Sequence, residues 1–249
     1  MMDGITIYLI KVNIALIVFY LFYRLLFSRD TFFVVRRFCL WTILGISLIY
    51  PFITFSFEEQ QKVTIQQMVV QYAGNLLPEI KVIPEEHQAT LGIWDVMQYC
   101  YWGIVIVLLG RIIIQVFSIV RLVCKGKKEI CCSVSVITLP GTVIPFSFFK
   151  WIFVNPSQYN TDDIQEIIIH ERTHVGQYHS LDVVVSEILC AFFWMNPAIW
   201  LLKREVRYNL EFLADKCVVH SGFDRRIYQY HLLHLSHPSI VTQICLLYT

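Results

Sequence analysis

The chain has 249 residues, of which 56% are hydrophobic and only 16% charged, a balance too apolar for a water-soluble protein of this length. A formal net charge of +1, with no Lys/Arg stripe interleaved with aromatics, argues against nucleic acid as a partner. The eight cysteines form no CxxC pair and no regular spacing, so they indicate neither a zinc ribbon nor a redox dithiol and read as reduced thiols.

Three apolar runs, at about 5–27, 38–57 and 93–115, each supply the roughly 20 residues needed to cross ~30 Å of hydrocarbon. The first reads as an uncleaved anchor, because its leader carries Asp3 without Lys or Arg and no small-residue cleavage site follows. Arg24, Arg29, Arg36 and Arg37 cluster from the end of the first run to the start of the second, and Arg121, Lys125, Lys127 and Lys128 follow the third. The positive-inside rule then predicts a multi-pass protein of the inner (cytoplasmic) membrane with its amino terminus outside and both basic segments in the cytosol. The loop at about 58–91 leans acidic through Glu58, Glu59, Glu79, Glu85 and Glu86, and is expected on the outer face. Lys11 and Asp95, within apolar runs, read as snorkelling side chains rather than functional intramembrane charges. From the end of the third crossing onward Arg111, Gln115, Ser118, Arg121 and Lys125 recur at near-helical spacing, so the helix is expected to run on into the cytosol with a solvated stripe.

Composition shifts near residue 124, which separates a membrane region (1–123) from a predicted cytosolic domain (124–249). Ile130 to Thr138 reads as a strand, Leu139-Pro140-Gly141 as a turn, and Trp151 to Val154 as another strand bounded by Asn155-Pro156. Together they predict a small hairpin or sheet, which is either purely structural or offers an edge to an extended peptide. Thr161-Asp162-Asp163 supplies a capping hydroxyl and an acidic first turn for a helix in which Ile164, Ile167 and Ile168 keep helical spacing. That helix carries His170-Glu171-Arg172-Thr173-His174. One turn of ~3.6 residues brings both imidazoles to one face, where they can hold one zinc ion with Glu171 placed to act on water.

Arg204 to Val219 predicts a further helix with Arg204, Tyr208, Glu211 and Asp215 along one face. Glu211 can complete a His-His-Glu set that leaves a fourth position open, and Asp215, one turn on, can accept the N–H of a ligating imidazole. The apolar run at about 183–202 is nearly long enough to span, yet it lies between His174 and Glu211. A straight crossing would put ~30 Å of hydrocarbon between groups that must meet one ion at ~2 Å, so the run is predicted to fold back near Asn196-Pro197 or to lie along the membrane surface. Tyr208, Arg207 and His220 are candidate oxyanion stabilisers, His179 reads as a hydrogen-bonded structural histidine, and His231, His234 and His237 form a helical stripe without an assigned role.

His170-Glu171-Arg172-Thr173-His174, followed by Gln177-Tyr178-His179-Ser180-Leu181-Asp182, Trp194-Met195-Asn196-Pro197-Ala198-Ile199-Trp200 and Glu211-Phe212-Leu213-Ala214-Asp215, resembles the BlaR/MecR-type antibiotic-sensor membrane metallopeptidases. The resemblance covers most of the chain, and the HSxD and WxNPxxW wording is most similar to the branch found in Bacteroidetes. It implies a mainly α membrane protein, with three transmembrane helices ahead of a cytosolic gluzincin-like α+β metallopeptidase domain. It also implies His170, His174 and Glu211 as Zn2+ ligands, Glu171 as catalytic base and Asp215 behind the ligands. The implied activity is that of a zinc metalloendopeptidase in transmembrane signalling, surrounded by membrane lipid and cleaving a cytosolic regulator or the chain itself. A homodimer is a further expectation. Family members usually carry another transmembrane helix and an extracytoplasmic carboxy-terminal domain, whereas this chain ends at Thr249, so a fragment is expected and no stimulus is carried over. Two other readings stay open. A non-catalytic signalling protein with a structural zinc site has no need of Glu171, and a CAAX-type membrane protease, which shares HExxH and ExxAD, is disfavoured by the three crossings ahead of the motif.

Overall fold

The computed structural model describes residues 4–27, 32–53, 92–139, 141, 143–224, 226 and 228. The expected outer loop at about 58–91 and the stripe of His231, His234 and His237 lie outside the described residues. The chain divides into a small unit, Phe52–Trp102, and a larger one formed by Met1–Pro51 and Gly103–Thr249. Among the described residues three helices are long and apolar enough to cross a membrane: α1 (Gly4–Leu26), α2 (Phe33–Ile49, continued by a 3-10 turn at Tyr50–Phe52) and α3 (Ile93–Lys125).

α1 matches the first predicted run, whereas α2 begins at Phe33, so Arg36 and Arg37 belong to its first turns and not to a connecting loop. Long-range pairing explains this. Arg36, 7% exposed, donates to the Tyr23 hydroxyl and meets Glu205 at 2.9 Å, while Arg37 meets Asp182 at 2.7 Å and donates to the Gln177 carbonyl. A guanidinium held by a carboxylate and neutral acceptors can sit in an apolar helix that an unpaired one would interrupt. α3 continues to Lys125, as its polar stripe predicts. Lys11 is exposed, and Asp95 lies in the first turn of α3, where its carboxylate accepts the Gly92 N–H at 2.9 Å. Asp95 therefore caps a helix start.

The strand expected over Ile130 to Thr138 is two strands. β1 (Lys127–Cys131) and β2 (Val134–Thr138) pair antiparallel across Cys132 and Ser133, both left-handed at φ 49° and 65°. This is the backbone of a two-residue hairpin turn, which usually takes Asn or Gly; without either residue the sequence gives no sign of it. β3 (Phe146–Phe148), too short to be read from pattern, pairs antiparallel with β4 (Trp151–Phe153), and β4 lies parallel to β2. The sheet order β1-β2-β4-β3 leaves β3 at an edge.

Alternation of side chains builds two cores from this one sheet. Val136, Ile152 and Val154 face Ile164, Ile167 and Ile168 of α4 (Thr161–Gly176), while Ile137, Phe148 and Phe153 face Ile119 of α3. The N-cap position of α4 is Asn160, one residue before the predicted Thr161, and its side chain makes no capping hydrogen bond.

α4 is followed almost directly by α5 (His179–Phe192), with left-handed Tyr178 (φ 54°) between them, and then by α6 (Pro197–His220). The apolar run at about 183–202 thus folds back near Asn196-Pro197, as expected. Asn196 accepts the Ala198 N–H at 2.9 Å and Pro197 opens α6, a start that explains why this helix begins well before Arg204. Cys190 and Phe193 from the first leg, and Ile199, Leu202, Val206 and Leu210 from α6, pack with Val12, Leu16, Tyr20 and Tyr23 of α1 and Leu40 and Leu44 of α2.

Where α3 meets β1, a Cβ on Gly126 would fall on the buried side chain of Ile137. Gly126→Ala is therefore expected to lower stability by about 1–3 kcal/mol, the usual range for overpacking, measured by thermal unfolding of the purified metal-free protein.

Candidate metal centre

His170 and His174 stand one turn apart on α4, and the fold-back brings α6 alongside. Their Nε2 atoms are 3.0 Å apart, and Glu211 Oε2 lies 3.4 Å from the first and 3.8 Å from the second. One donor atom from each of the three residues falls within 4.8 Å of the others. Donors ~2.0–2.2 Å from a tetrahedral ion sit about 3.3–3.6 Å from one another, so the set fits a small divalent cation. The Glu211 side chain is 59% exposed, which leaves one side of the cluster open.

Behind each imidazole stands a different partner. His170 Nδ1 is 3.2 Å from Asp215 Oδ1 and 3.1 Å from the Tyr228 hydroxyl, and that hydroxyl donates to Asp215 at 2.8 Å. His174 Nδ1 is 2.8 Å from His179 Nδ1, and His179 Nε2 is 3.2 Å from Gln177 Oε1. An amide oxygen only accepts, so His179 carries its proton on Nε2, accepts the His174 N–H on Nδ1, and leaves His174 Nε2 with its lone pair toward the cluster. His179, 2% exposed, reaches this position because Tyr178 reverses the chain between α4 and α5. It is hydrogen-bonded, as expected, but its partner is one of the candidate ligands.

Burial pushes the His170 imidazole down, but hydrogen bonds to Asp215 and Glu211 and the charges of Glu171 and Glu211 outweigh it and carry the group up to about 10. Burial raises the Glu211 and Asp215 carboxyls, yet their contacts with His170 hold both below the usual carboxylate range. Burial lowers His174 against the pull of Glu211 and Glu171, and burial with the nearby His174, Arg37 and His170 lowers His179 to about 3. A proton on His170 thus occupies, in charge terms, the place that a cation would take.

The cluster opens into a cavity of about 710 Å³. Glu171 is buried in its wall, and Phe146, Ser147 and Phe148 of the β3 edge form another side. Of the three oxyanion candidates Arg207 lines this cavity and pairs with Glu187 at 2.6 Å; Tyr208 and His220 are not among the lining residues. The structure adds Tyr228 and Glu166 to the wall. Glu166 could have been found four residues before His170 on the same helix face, whereas no local pattern points to Tyr228.

Residues 140–245 match the family described as BlaR1 peptidase M56, an interval that contains every member of the cluster. A comparison with curated proteins finds no match. The family match agrees with the motif wording and supports a BlaR1/MecR-type peptidase, a membrane-associated metallopeptidase in class.

Because His170 must lose its proton to bind a cation, zinc affinity of the metal-free protein should rise from about pH 6.5 toward 10, with proton release visible by calorimetry in buffers of different ionisation enthalpy. Removing the acceptor behind His174 with His179→Leu should weaken zinc binding ~10–100-fold in chelator competition, while His179→Asn, whose amide oxygen can stand near the lost Nδ1, should weaken it less.

Proposed function

We propose that the chain is a membrane-associated metallopeptidase of the BlaR1/MecR type, and that it is a zinc metalloendopeptidase cutting a polypeptide in the cavity above His170, His174 and Glu211. The observation that carries this reading is the convergence of donors from two separate helices on one open-sided cluster, with Glu171 in the same cavity wall. A bound zinc ion would supply Lewis-acid polarisation of the scissile carbonyl and acidify the attacking water. Glu171 takes the water proton and passes it to the departing amine. Asp215 and His179 fix the imidazoles from behind, and its place on the cavity wall favours Arg207 as the oxyanion stabiliser.

β3 is an edge strand and its residues line the cavity, which favours an extended peptide added as a further strand over a purely structural sheet edge. The substrate we assign is a cytosolic regulator or the chain itself, cleaved in signalling across the cytoplasmic membrane, with the amino terminus outside, the peptidase domain in the cytosol and the protein acting as a homodimer. A structural zinc site would not need a carboxylate such as Glu171 beside it, and this weighs against the non-catalytic reading.

In the full chain reconstituted in lipid, Glu171→Gln should bind zinc like the parent and lose about 10²–10⁴-fold in cleavage rate, while Glu211→Ala should lose zinc affinity and cleavage together. Equal cleavage by the Glu171→Gln variant and the parent rejects the enzyme reading.

A further inference from the structure

Trp194-Met195-Asn196-Pro197-Ala198-Ile199-Trp200 takes no part in the metal centre, yet it is tied to α1. Asn196 Nδ2 donates at 3.1 Å to the backbone carbonyl of Asn13, near the middle of that helix. Further along α6 the contacts reach the other end of the helix pair: Glu205 meets Arg36, Asn209 Nδ2 donates to the Phe33 carbonyl at 2.9 Å, and Phe212 stacks on Phe33 with ring centroids 5.2 Å apart. About 12 residues separate Pro197 from Asn209, hence roughly 18 Å of helix at ~1.5 Å per residue. A path of that length beside α1 enters a ~30 Å hydrocarbon core without crossing it.

We propose that α5 and α6 form a re-entrant hairpin, inserted into the bilayer from the side that holds the metal centre, with its tip against lipid acyl chains at the level of Asn13. This rests on α1 and α2 spanning the membrane and is independent of whether the centre hydrolyses peptides.

Non-helical backbone persists at membrane depth only where its polar groups are paired within the protein. Several polar groups of the turn are paired in this way. The Phe193 N–H donates to the Leu189 carbonyl and the Asn196 N–H to the Phe193 carbonyl, Pro197 has no N–H, Asn196 Oδ1 accepts from Ala198, and the Trp200 indole donates to the Trp194 carbonyl at 2.9 Å. Trp200 and the Asn-Pro pair thereby acquire a common purpose. The outer surface of the tip is apolar, with Met195 68% and Trp200 44% exposed, like the outward face of α1 at Ile10, Ile14 and Ile17. No charged residue lies from Ile188 through Leu202. The nearest charges, Glu187 on one leg and Lys203 on the other, pair with each other at 2.7 Å, so the two legs carry their first charges at the same height. A hairpin lying flat on the surface would not need this shared boundary, and it could not keep Asn196 on Asn13.

The unaltered chain can be reconstituted in phosphatidylcholine vesicles doped with a lipid that carries a diazirine midway along one acyl chain. After photolysis, mass spectrometry should find adducts on residues 193–200 at yields within about threefold of those on α1; adducts on α1, α2 and α3 with none on 193–200 overturn the proposal. Independently, Met195→Cys in a background with the eight native cysteines replaced by alanine, checked for parental zinc binding, should resist a membrane-impermeant maleimide from both faces of sealed vesicles and react once detergent is added. Labelling from the metal-centre side would mean a surface hairpin, labelling from the opposite side a full crossing, and either result defeats insertion to mid-depth. Glu171→Gln should leave both patterns unchanged, so failure of the hydrolase reading cannot be mistaken for failure of this one.

Discussion

A small divalent ion accepts its donors only at ~2 Å, and the candidate donors of this chain are divided between two helices with a long apolar run between them. The path of the chain from α4 to α6 meets that constraint. The run turns back at Phe193–Asn196, α6 returns beside α4, and Glu211 arrives 3.4 Å from His170. The hairpin closes not on itself alone but on α1 and α2, through Leu16, Leu40, Leu44, Leu202 and Val206, so the membrane helices are part of the scaffold that holds the cluster together.

The two imidazoles are supported unequally. Asp215 with Tyr228 gives His170 an anionic backing, whereas His179 with Gln177 gives His174 a neutral one. With Glu171 and Glu211 already close, a second carboxylate behind His174 would add a further negative charge on the buried side of the cluster, at a desolvation cost that a neutral imidazole avoids. The neutral chain still fixes which nitrogen of His174 faces the centre, and donor direction matters to coordination as much as donor charge.

Much of this was legible in the sequence because helical spacing is rigid. His170 and His174, and Glu211 and Asp215, are each four residues apart, so their faces follow from residue number alone. The fold-back was legible for a different reason, since the metal geometry forbade the alternative. Other features depend on contacts that no local pattern encodes. Arg36 enters α2 because Glu205, far along the chain, neutralises it. The β1–β2 turn uses Cys132 and Ser133 in a conformation usually left to Asn or Gly, and His179 reaches His174 only through the left-handed backbone at Tyr178. Tyr228 joins the wall from beyond the end of α6, outside any helix-face argument.

α6 is unbroken from Pro197 to His220, so its membrane-packed first turns and the carboxylate of Glu211 move as one body. Glu211 sits about 14 residues from the start, an arm of roughly 21 Å, and a tilt of only ~5° about the near end would displace that carboxylate by about 2 Å, a full metal–ligand bond length. Small readjustments among α1, α2 and the hairpin are thereby magnified at the cluster, and the spacing of its donor atoms becomes a strain gauge for the packing of the helices beneath it.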